Sequence, residues 1–485
     1  MPRLPAELRP GGLRAWLNAL PLGELDLTTR CLLDALGNIR QRNLPARQRF
    51  ALLEEFIPLL GLLLPELATR YTSRPLPMAR DERDAVELST ALQLEIIHAY
   101  QQVLTDSSRV VLFGWRKLVA TSIHRLFRFR SNILCNYRLC YMPYPPGVWK
   151  QLYWFFRLVE DNGLLATRIR DPLTRRKTTI LEEFKRLLLL SLLSPNSLER
   201  HHADEIHAHL HDWLGRTTLH TPRREADCAG QYVLDLDGDR PPQLQPAETP
   251  AAPARGAQRC LDTRRLVNEL RNLLASPPEK LSRLSHDTIE NVLACWDRSG
   301  VRDNERRFSH QSTEVAIGFS HIREVIGGQP QGRGLKADLV DESNSGYCFS
   351  FRAGSVSIGL DDLVALRDPR GGSWRLGQIR WMQSRGHNRV RVGAMLLSPE
   401  VLPAVARDDS AGDGMDCLLG VNQPHPVLYL PSEPGIDSAE QLGHFTRLVN
   451  PERETRFELL ETFAGNAHFD AYRIRVDAPP ESRPN

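Results

Sequence analysis

The 485-residue chain has little of what marks several classes of protein. Its eight cysteines are scattered and include no CxxC pair, which predicts free thiols in a reducing cytoplasm. The longest apolar run, around 186–194, has about half the length that a helix needs to cross a bilayer. The first ten residues lack the apolar core of a secretory signal. We therefore expect a soluble, cytoplasmic protein with no transmembrane segment.

The chain also lacks a large excess of either sign of charge, because 62 basic and 59 acidic residues leave a net charge of only +3. No global field would attract DNA, RNA or a membrane surface, so any anion site must be local. The sequence contains no GxSxG motif, no Walker loop, and no Cys or Ser with an evident His partner. We therefore predict no catalytic residues, no metal site and no cofactor.

The first part of the chain has helical periodicity. Apolar residues recur at three and four positions through residues 1–225, which predicts an all-helical output or interaction domain. Residues 226–300 are expected to hold a linker, centred on the Pro- and Ala-rich stretch 237–258, and two connecting helices at about 262–275 and 286–297. In the second of these helices Ser285 is a plausible N-cap.

From about residue 308 the apolar period changes to two. Six short strand candidates separated by turn residues predict a small antiparallel six-stranded β-barrel over residues 301–400. Residues 401–485 continue as a β-rich extension. The expected fold class is multidomain α+β, with the helical domain first and the barrel after it.

Arginines cluster immediately before the first strand candidate. Arg302, Arg306 and Arg307 lie within six residues, and Arg298 lies four positions before Arg302. Planar guanidinium groups donate paired hydrogen bonds to phosphate oxygens and can stack on purines. Such a loop suits a phosphate ligand, although most arginine runs are solvated surface.

A second cluster, DESNSG at 341–346, lies between two strand candidates and contains Asp341, Ser343 and Gly346. Asp, Ser, Asn and Gly are the residues that form tight connections, so the simplest interpretation is a hairpin turn.

Together, RxxxR before a small barrel and DxSxxG between two of its strands resemble the PilZ domain, a bacterial receptor module for cyclic di-GMP. The matching residues are Arg302 and Arg306, then Asp341, Ser343 and Gly346, and the stretch 376–397 resembles the closing pair of strands in that family. The resemblance implies that the arginines grip phosphates and stack on guanine, while Asp341 and Ser343 reach a guanine edge. The 327–336 segment is expected to form an extended hairpin, and whether Arg306 or Arg307 makes the second contact is left open.

The chemistry of the ligand supports the same residues. Cyclic di-GMP carries two phosphates and two guanines, so it needs cations, flat groups for stacking, and an acceptor for the guanine N1 and N2 donors. The arginines supply the first two and Asp341 the third, while Ser343 adds a donor or acceptor. Gly346 is expected to adopt backbone angles closed to other residues and to leave room for the base. Three or four charge-assisted bonds predict a dissociation constant on the order of micromolar or tighter.

Two other functions stay open as alternatives. An enzyme that makes or cleaves the dinucleotide would need a Gly-Gly-acid-Glu-Phe turn or a metal-binding cluster beginning Glu-Ala-Leu, and neither string occurs. The other alternative is a helical interaction protein whose barrel has lost ligand binding. For a receptor, we expect the helical domain to contact a protein of a motility or attachment apparatus. The whole-chain resemblance favours type IV pili, with flagella and exopolysaccharide as alternatives, and allows a partner to recruit the receptor to the cell pole or inner membrane face.

Two further stretches allow different interpretations. His207 and His211 are spaced to share a metal on one helix face, but a solvent-facing histidine-rich helix is the preferred interpretation. The aromatic and basic residues of 114–158 could form a nucleic-acid surface. Because Trp149, Tyr153 and Phe156 follow helical spacing, a buried seam between helices is preferred.

Overall fold

The structure is a computed structural model. It describes residues 4–476 apart from short gaps at 6, 73, 108–114, 172–175, 194–199, 247–255, 276–283, 297–305, 310, 331, 355, 371, 386–387, 408–413, 433–446, 451–453 and 467. The chain divides into two compact units. Unit 1 comprises residues 1–74 and 78–301, and unit 2 comprises residues 75–77 and 302–485.

Unit 1 is mainly helical, as the three- and four-residue spacing predicts. Its helices are α1 (Pro10–Asn18), α2 (Leu25–Gln41), α3 (Ala46–Thr69), α4 (Arg80–Ser107), α5 (Trp115–Leu139), α6 (Val148–Asp161), α7 (Ile180–Leu192), α8 (Arg200–Leu214), α9 (Arg264–Leu274) and α10 (His286–Trp296).

Local sequence signals explain where several of these helices begin. At α7 the Thr179 side chain accepts a hydrogen bond from the Glu182 amide, and the Glu182 carboxylate accepts one from the Thr179 amide. This reciprocal pair satisfies two amides that would otherwise have no partner. At α10 the Ser285 hydroxyl accepts from the Thr288 amide, which confirms the predicted N-cap. Both connecting helices are therefore present close to their predicted positions.

The aromatic seam is also confirmed. Trp149, Tyr153 and Phe156 on α6 are all buried, and the Phe156 ring stacks on Phe184 of α7 at a centroid distance of 4.3 Å. Stacked and tilted aromatic rings stabilise a core beyond the area that they bury. These rings are part of the interior of unit 1 rather than a surface for bases.

The prediction of an all-helical first domain is wrong in detail, because short strands interrupt the helices. β1 (Arg168–Arg170) pairs with β2 (Lys177–Thr179). A four-stranded antiparallel sheet follows in the order β3-β6-β4-β5, built from β3 (Thr218–His220), β4 (Tyr232–Asp235), β5 (Gln243–Leu244) and β6 (Gln258–Asp262). The stretch 237–258, predicted to be a linker, therefore contributes β5 and the first residue of β6 to a sheet.

The expectation that every thiol is free is wrong for one pair. Cys228, at the end of a short 3₁₀ helix, and Cys260 of β6 form a disulfide, with their Cα atoms 5.7 Å apart. Both residues are buried. The pair was not predicted because 32 positions separate the two cysteines and only the sheet brings them together. The other six cysteines, all among the described residues, are not in disulfides.

Unit 2 begins with the strands that the period-two pattern predicts. Its first sheet contains β7 (Arg307–Phe308), β8 (Ser312–Ile317), β9 (Leu335–Ser343), β10 (Gly346–Arg352), β11 (Leu363–Arg367), β12 (Trp374–Ser384) and β13 (Arg389–Ser398). The strand order is β10-β13-β12-β11-β8-β9-β7, and the further pairing of β10 with β9 closes β8–β13 into a six-stranded ring. We call this ring the first barrel. Tyr347, Phe349 and Phe351 lie on its core side.

The segment between β8 and β9 differs from the prediction. A helix, α11 (Phe319–Ile326), precedes the stretch that we expected to form an extended hairpin at 327–336. Gly318 allows the change of direction, because its φ of 80° is one that residues with a side chain rarely adopt. Part of the long interval between Arg306 and Asp341 is therefore helix.

The predicted β-rich extension is itself a closed barrel, with strand order β14-β15-β16-β19-β18-β17. Its strands are β14 (Glu400–Arg407), β15 (Met415–Val421), β16 (Val427–Pro431), β17 (Arg447–Val449), β18 (Glu454–Gly465) and β19 (Phe469–Val476). Side chains of both barrels, including Leu376 of the first and Tyr429 of the second, share one apolar cluster. Unit 2 therefore consists of two six-stranded barrels packed together.

Candidate functional site

The DESNSG motif forms the hairpin that joins β9 to β10. Ser343 pairs with Gly346, so Asn344 and Ser345 make a two-residue turn between them. The Ser343 hydroxyl donates a hydrogen bond to the Gly346 carbonyl oxygen at 3.3 Å and lies 3.3 Å from the Ser345 hydroxyl. The interpretation as a hairpin turn is confirmed, and it leaves Asp341 inside β9 rather than in the turn.

Gly346 is required for a different reason from the one expected. Its φ lies outside the left-handed region, so the prediction of unusual backbone angles is wrong. A Cβ atom at this position would lie 2.3 Å from the Ala394 carbonyl oxygen on β13. The hairpin can therefore approach β13 this closely only because residue 346 has no side chain.

Asp341 places a charged group under the surface of the first barrel. Its side chain is only 7% exposed, and Oδ1 lies 2.6 Å from Nη1 of Arg306. On the other side, Oδ2 lies 3.7 Å from Nη2 of Arg391 on β13. A carboxylate removed from water is costly unless cations or hydrogen-bond donors surround it. The structure thus brings together Arg306 and Asp341, two residues that the sequence places 35 positions apart.

The two neighbouring arginines at the start of unit 2 have different surroundings. Arg306 precedes β7, whereas Arg307 lies within β7 opposite Glu342, next to the pair formed by Phe308 and Asp341. Because neighbouring residues of a strand point to opposite faces, Arg307 points away from the face that carries Asp341. The geometry therefore favours Arg306 over Arg307 as the partner of Asp341. Arg298 and Arg302 lie outside the described residues.

A row of cross-strand partners runs through Asp341 across the outer face of the first barrel. Phe308, with 81% of its surface exposed, starts the row, and the small residues Cys348 and Gly393 follow Asp341. Trp381 ends it, with its indole directly over Gly393, where a Cβ atom would clash with the ring. The row thus offers an exposed aromatic ring at one end and an indole at the other, with a charged centre between.

Arg391 is the residue of this site that the sequence argument missed. Its Nε donates a hydrogen bond to the Cys348 sulfur at 3.3 Å, so the guanidinium lies over the buried thiol. Burial raises the pKa of the Cys348 thiol, and the hydrogen bond from Arg391 opposes that rise. The alternation of arginine and valine at 389–392 was a signal that Arg391 faces outward, but only the strand register shows that it faces Asp341.

The histidine-rich helix α8 is not simply solvent-facing, as was preferred. His207 is partly buried, with Nε2 3.2 Å from the Cys135 sulfur and Nδ1 3.3 Å from Nη2 of Arg186. Burial, followed by the charges of Arg186 and Arg128, lowers the pKa of His207 to about 3. Within the described ranges, no three or more His, Cys, Asp or Glu side chains are grouped so that they could hold a metal ion. Among the helices that the structure describes, none is long and apolar enough to span a membrane.

Comparison with known proteins gives one match in each of the two units. Residues 11–225 match the model for "Cyclic-di-GMP receptor FimW, N-terminal domain", and residues 328–403 match "Cyclic-di-GMP receptor FimW, middle PilZ domain". The second match contains Asp341, Ser343, Gly346 and Arg391 and begins after Arg306. The chain is also 20% identical to the cyclic-di-GMP receptor FimW of Pseudomonas aeruginosa over 480 residues, covering 81% of this chain and 78% of that protein. With both domains matched in the same order, the chain belongs to the family of PilZ-domain cyclic di-GMP receptors like FimW.

Proposed function

We propose that the chain binds cyclic di-GMP on the outer face of the first barrel. The observation that carries this proposal is the buried Asp341 carboxylate held between Arg306 and Arg391, beside a hairpin with the DxSxxG pattern. A stable core needs no charge at this position, since buried ion pairs add little stability compared with apolar packing. An acceptor surrounded by cations suits a ligand that combines guanine with phosphate.

In the complex, Asp341 accepts hydrogen bonds from the guanine N1 and N2 groups. Arg306 and Arg302 bind the phosphate oxygens and stack on the bases, as the family resemblance implies. Ser343, whose hydroxyl bonds weakly within the hairpin, is free to turn toward the ligand. Gly346 keeps the hairpin against β13, and Arg307 is the alternative second arginine. No cofactor takes part.

Affinity follows from the number of charged contacts. Each charge-assisted hydrogen bond contributes roughly 1.5–3 kcal/mol, and ordering of the arginine segment reduces the total. The expected dissociation constant is on the order of micromolar or tighter.

Calorimetric titration of the full chain tests the proposal, with cyclic di-AMP as a matched control ligand. Both ligands carry the same phosphodiester ring, but adenine presents a different hydrogen-bonding edge and lacks the paired N1 and N2 donors of guanine. Binding of cyclic di-GMP with at least tenfold weaker binding of cyclic di-AMP is expected, because Asp341 would then face an unpaired edge. Equal binding of both ligands would mean that the site recognises the phosphates but not the guanine. No binding of either ligand would reject the proposed function.

The same titrated sample separates a receptor from an enzyme. After prolonged incubation with cyclic di-GMP and Mg²⁺, chromatography should recover intact ligand. Linear dinucleotide or GMP in the sample, absent from a heat-denatured control, would support the enzyme alternative instead.

We further propose that the helical domain at 1–225 relays the bound state to a protein of the type IV pilus machinery, from the cytoplasm. The match of residues 11–225 to the N-terminal domain of a cyclic-di-GMP receptor supports a shared task for this domain. The choice of the pilus rests on the PilZ resemblance alone, since that family takes its name from pilus control. Affinity capture with purified pilus assembly proteins, with and without cyclic di-GMP, tests the relay. Ligand-dependent capture of flagellar or polysaccharide proteins alone would assign the output to those systems.

A further inference from the structure

Arg391 is held at two points on a paired strand. Its Nε bonds to the buried Cys348 sulfur at 3.3 Å, and Nη2 lies 3.7 Å from Oδ2 of Asp341. β13 is paired on both sides, with β10 and with β12, so its backbone has little freedom. The side chain of Arg391 is 29% exposed, and its guanidinium is therefore fixed in place beside the carboxylate.

Arg306 contacts the same carboxylate in a different way. It precedes the two-residue strand β7, its side chain is 38% exposed, and its Nη1 approaches Oδ1 rather than Oδ2. The two arginines thus lie at different oxygens. Arg306 is at hydrogen-bond distance, whereas Arg391 at 3.7 Å provides charge without occupying a full hydrogen bond.

Guanine recognition imposes a conflict on this arrangement. A guanine that donates N1–H and N2–H takes one lone pair of each carboxylate oxygen, and Arg306, which in the proposed complex binds phosphate, leaves Oδ1 when the ligand arrives. The neutral base then replaces a cation beside a buried carboxylate. A buried charge without a compensating cation is strongly unfavourable. Some other positive group must stay close to Asp341 for the exchange to succeed.

We propose that Arg391 is this fixed counter-charge: it orients and compensates Asp341 throughout binding, while Arg306 exchanges Asp341 for the ligand. This inference rests on the proposed function, because it explains how the same site can take up guanine. Arg391 is a positioning residue, acting on the ligand through Asp341. Its bond to Cys348 keeps the guanidinium from following Arg306 toward the phosphates.

The chain contains a matched control for Arg391. Arg389 lies two positions earlier on β13, points to the same face, and forms an ion pair with Asp338 of β9 at 2.8 Å. Both partners of that pair are more than half exposed, at 52% and 56%. An exposed pair of this kind contributes little to stability. Removing Arg389 therefore removes the same charge from the same strand without touching Asp341.

The experiment is a double-mutant cycle on the full chain, measured by calorimetric titration with cyclic di-GMP. Arg391→Met is expected to weaken binding roughly tenfold or more, and Arg391→Lys to restore part of the loss, since lysine returns the charge without the planar fork. Arg389→Met should stay within about twofold of wild type. In an Asp341→Asn background, which has no charge to compensate, Arg391→Met should have almost no further effect.

Three outcomes would overturn the inference while wild type still binds. They are equal affinities of the Arg391→Met and Arg389→Met variants, no rescue by lysine, and an undiminished effect of Arg391→Met in the Asp341→Asn background. If Arg391→Met fails to fold, Arg391→Gln, which keeps a donor for Cys348, replaces it with the same expectations. A wild-type chain that does not bind would instead reject the proposed function itself.

Discussion

Replacing Arg306 with alanine removes the closer of the two cations at Asp341 and one predicted phosphate contact. Loss of one charge-assisted contact is expected to weaken cyclic di-GMP binding by roughly 1.5–3 kcal/mol, or about tenfold to a hundredfold. A cost to stability is also expected, because the Asp341 side chain is 7% exposed while that of Arg306 is 38% exposed. Since this ion pair is intermediate between an exposed pair and a fully buried one, Arg306→Ala should lower the free energy of unfolding by about 1–2 kcal/mol.

Calorimetric titration and urea unfolding of the full chain measure these two quantities separately. Arg307→Ala is the matched control, since it removes the same charge at the next position, on the face of β7 away from Asp341. We expect Arg307→Ala to weaken binding less than Arg306→Ala does and to leave stability unchanged. Unchanged affinity in a folded Arg306→Ala chain would refute the assignment. A larger loss of affinity for Arg307→Ala would identify Arg307 as the second motif arginine.

Three other predictions concern stability. Gly346→Ala should destabilise unit 2 by about 1–3 kcal/mol in urea unfolding. Gly359→Ala is the control and should cause no loss, because its new Cβ would lie 3.5 Å from the nearest atom; equal losses in the two variants would contradict the close approach to β13. Because burial lowers the pKa of His124 to about 4, the unfolded chain binds its proton first. From about pH 7 to about pH 5, His124 alone should lower the free energy of unfolding of unit 1 by about 2 kcal/mol, so the fall in His124→Gln should be smaller than in wild type by that amount, as followed by far-UV circular dichroism in urea. Replacing Cys228 and Cys260 with serine should cost about 3–4 kcal/mol under oxidising conditions and much less after reduction; eight titratable thiols in the native chain would exclude the disulfide.

The strands of the first barrel could be predicted from sequence because their side chains alternate between core and surface. In β10 this alternation places Tyr347, Phe349 and Phe351 on the core side, and the pattern marks the strand almost to its ends. Strands of the second barrel were harder to predict. β15 has four consecutive buried residues, Cys417 to Gly420, so its burial pattern has no period of two. The eight-residue helix α11 was missed because it is too short for a clear helical period.

The candidate site was only partly predictable for a related reason. Asp341, Ser343 and Gly346 belong to one short motif, which the sequence displays directly. Arg391 lies 50 positions further on, and its approach to Asp341 depends on how β9, β10 and β13 are aligned. Even a shift of one residue in that register would move Arg391 to the core side. Local sequence patterns do not contain that alignment, so the residue could be identified only from the structure.

The ion pair between Arg306 and Asp341 has opposite effects on the two states of the site. Without ligand it compensates a carboxylate whose side chain is only 7% exposed, so it stabilises the first barrel. In the proposed complex Arg306 turns to the phosphates, so the same pair breaks during binding and its energy is subtracted from the affinity for the dinucleotide. A stronger pair would therefore give a more stable but less sensitive receptor. A weaker one would leave the buried charge poorly compensated. Arg391 relaxes this trade-off, since a cation fixed at 3.7 Å supports Asp341 in both states and needs no exchange. The affinity is thus set by the difference in energy between the ion pairs of the free site and those of the bound site. For this reason the effects of Arg306 and Arg391 on binding should depend on Asp341, and they should not add like the effects of independent contacts.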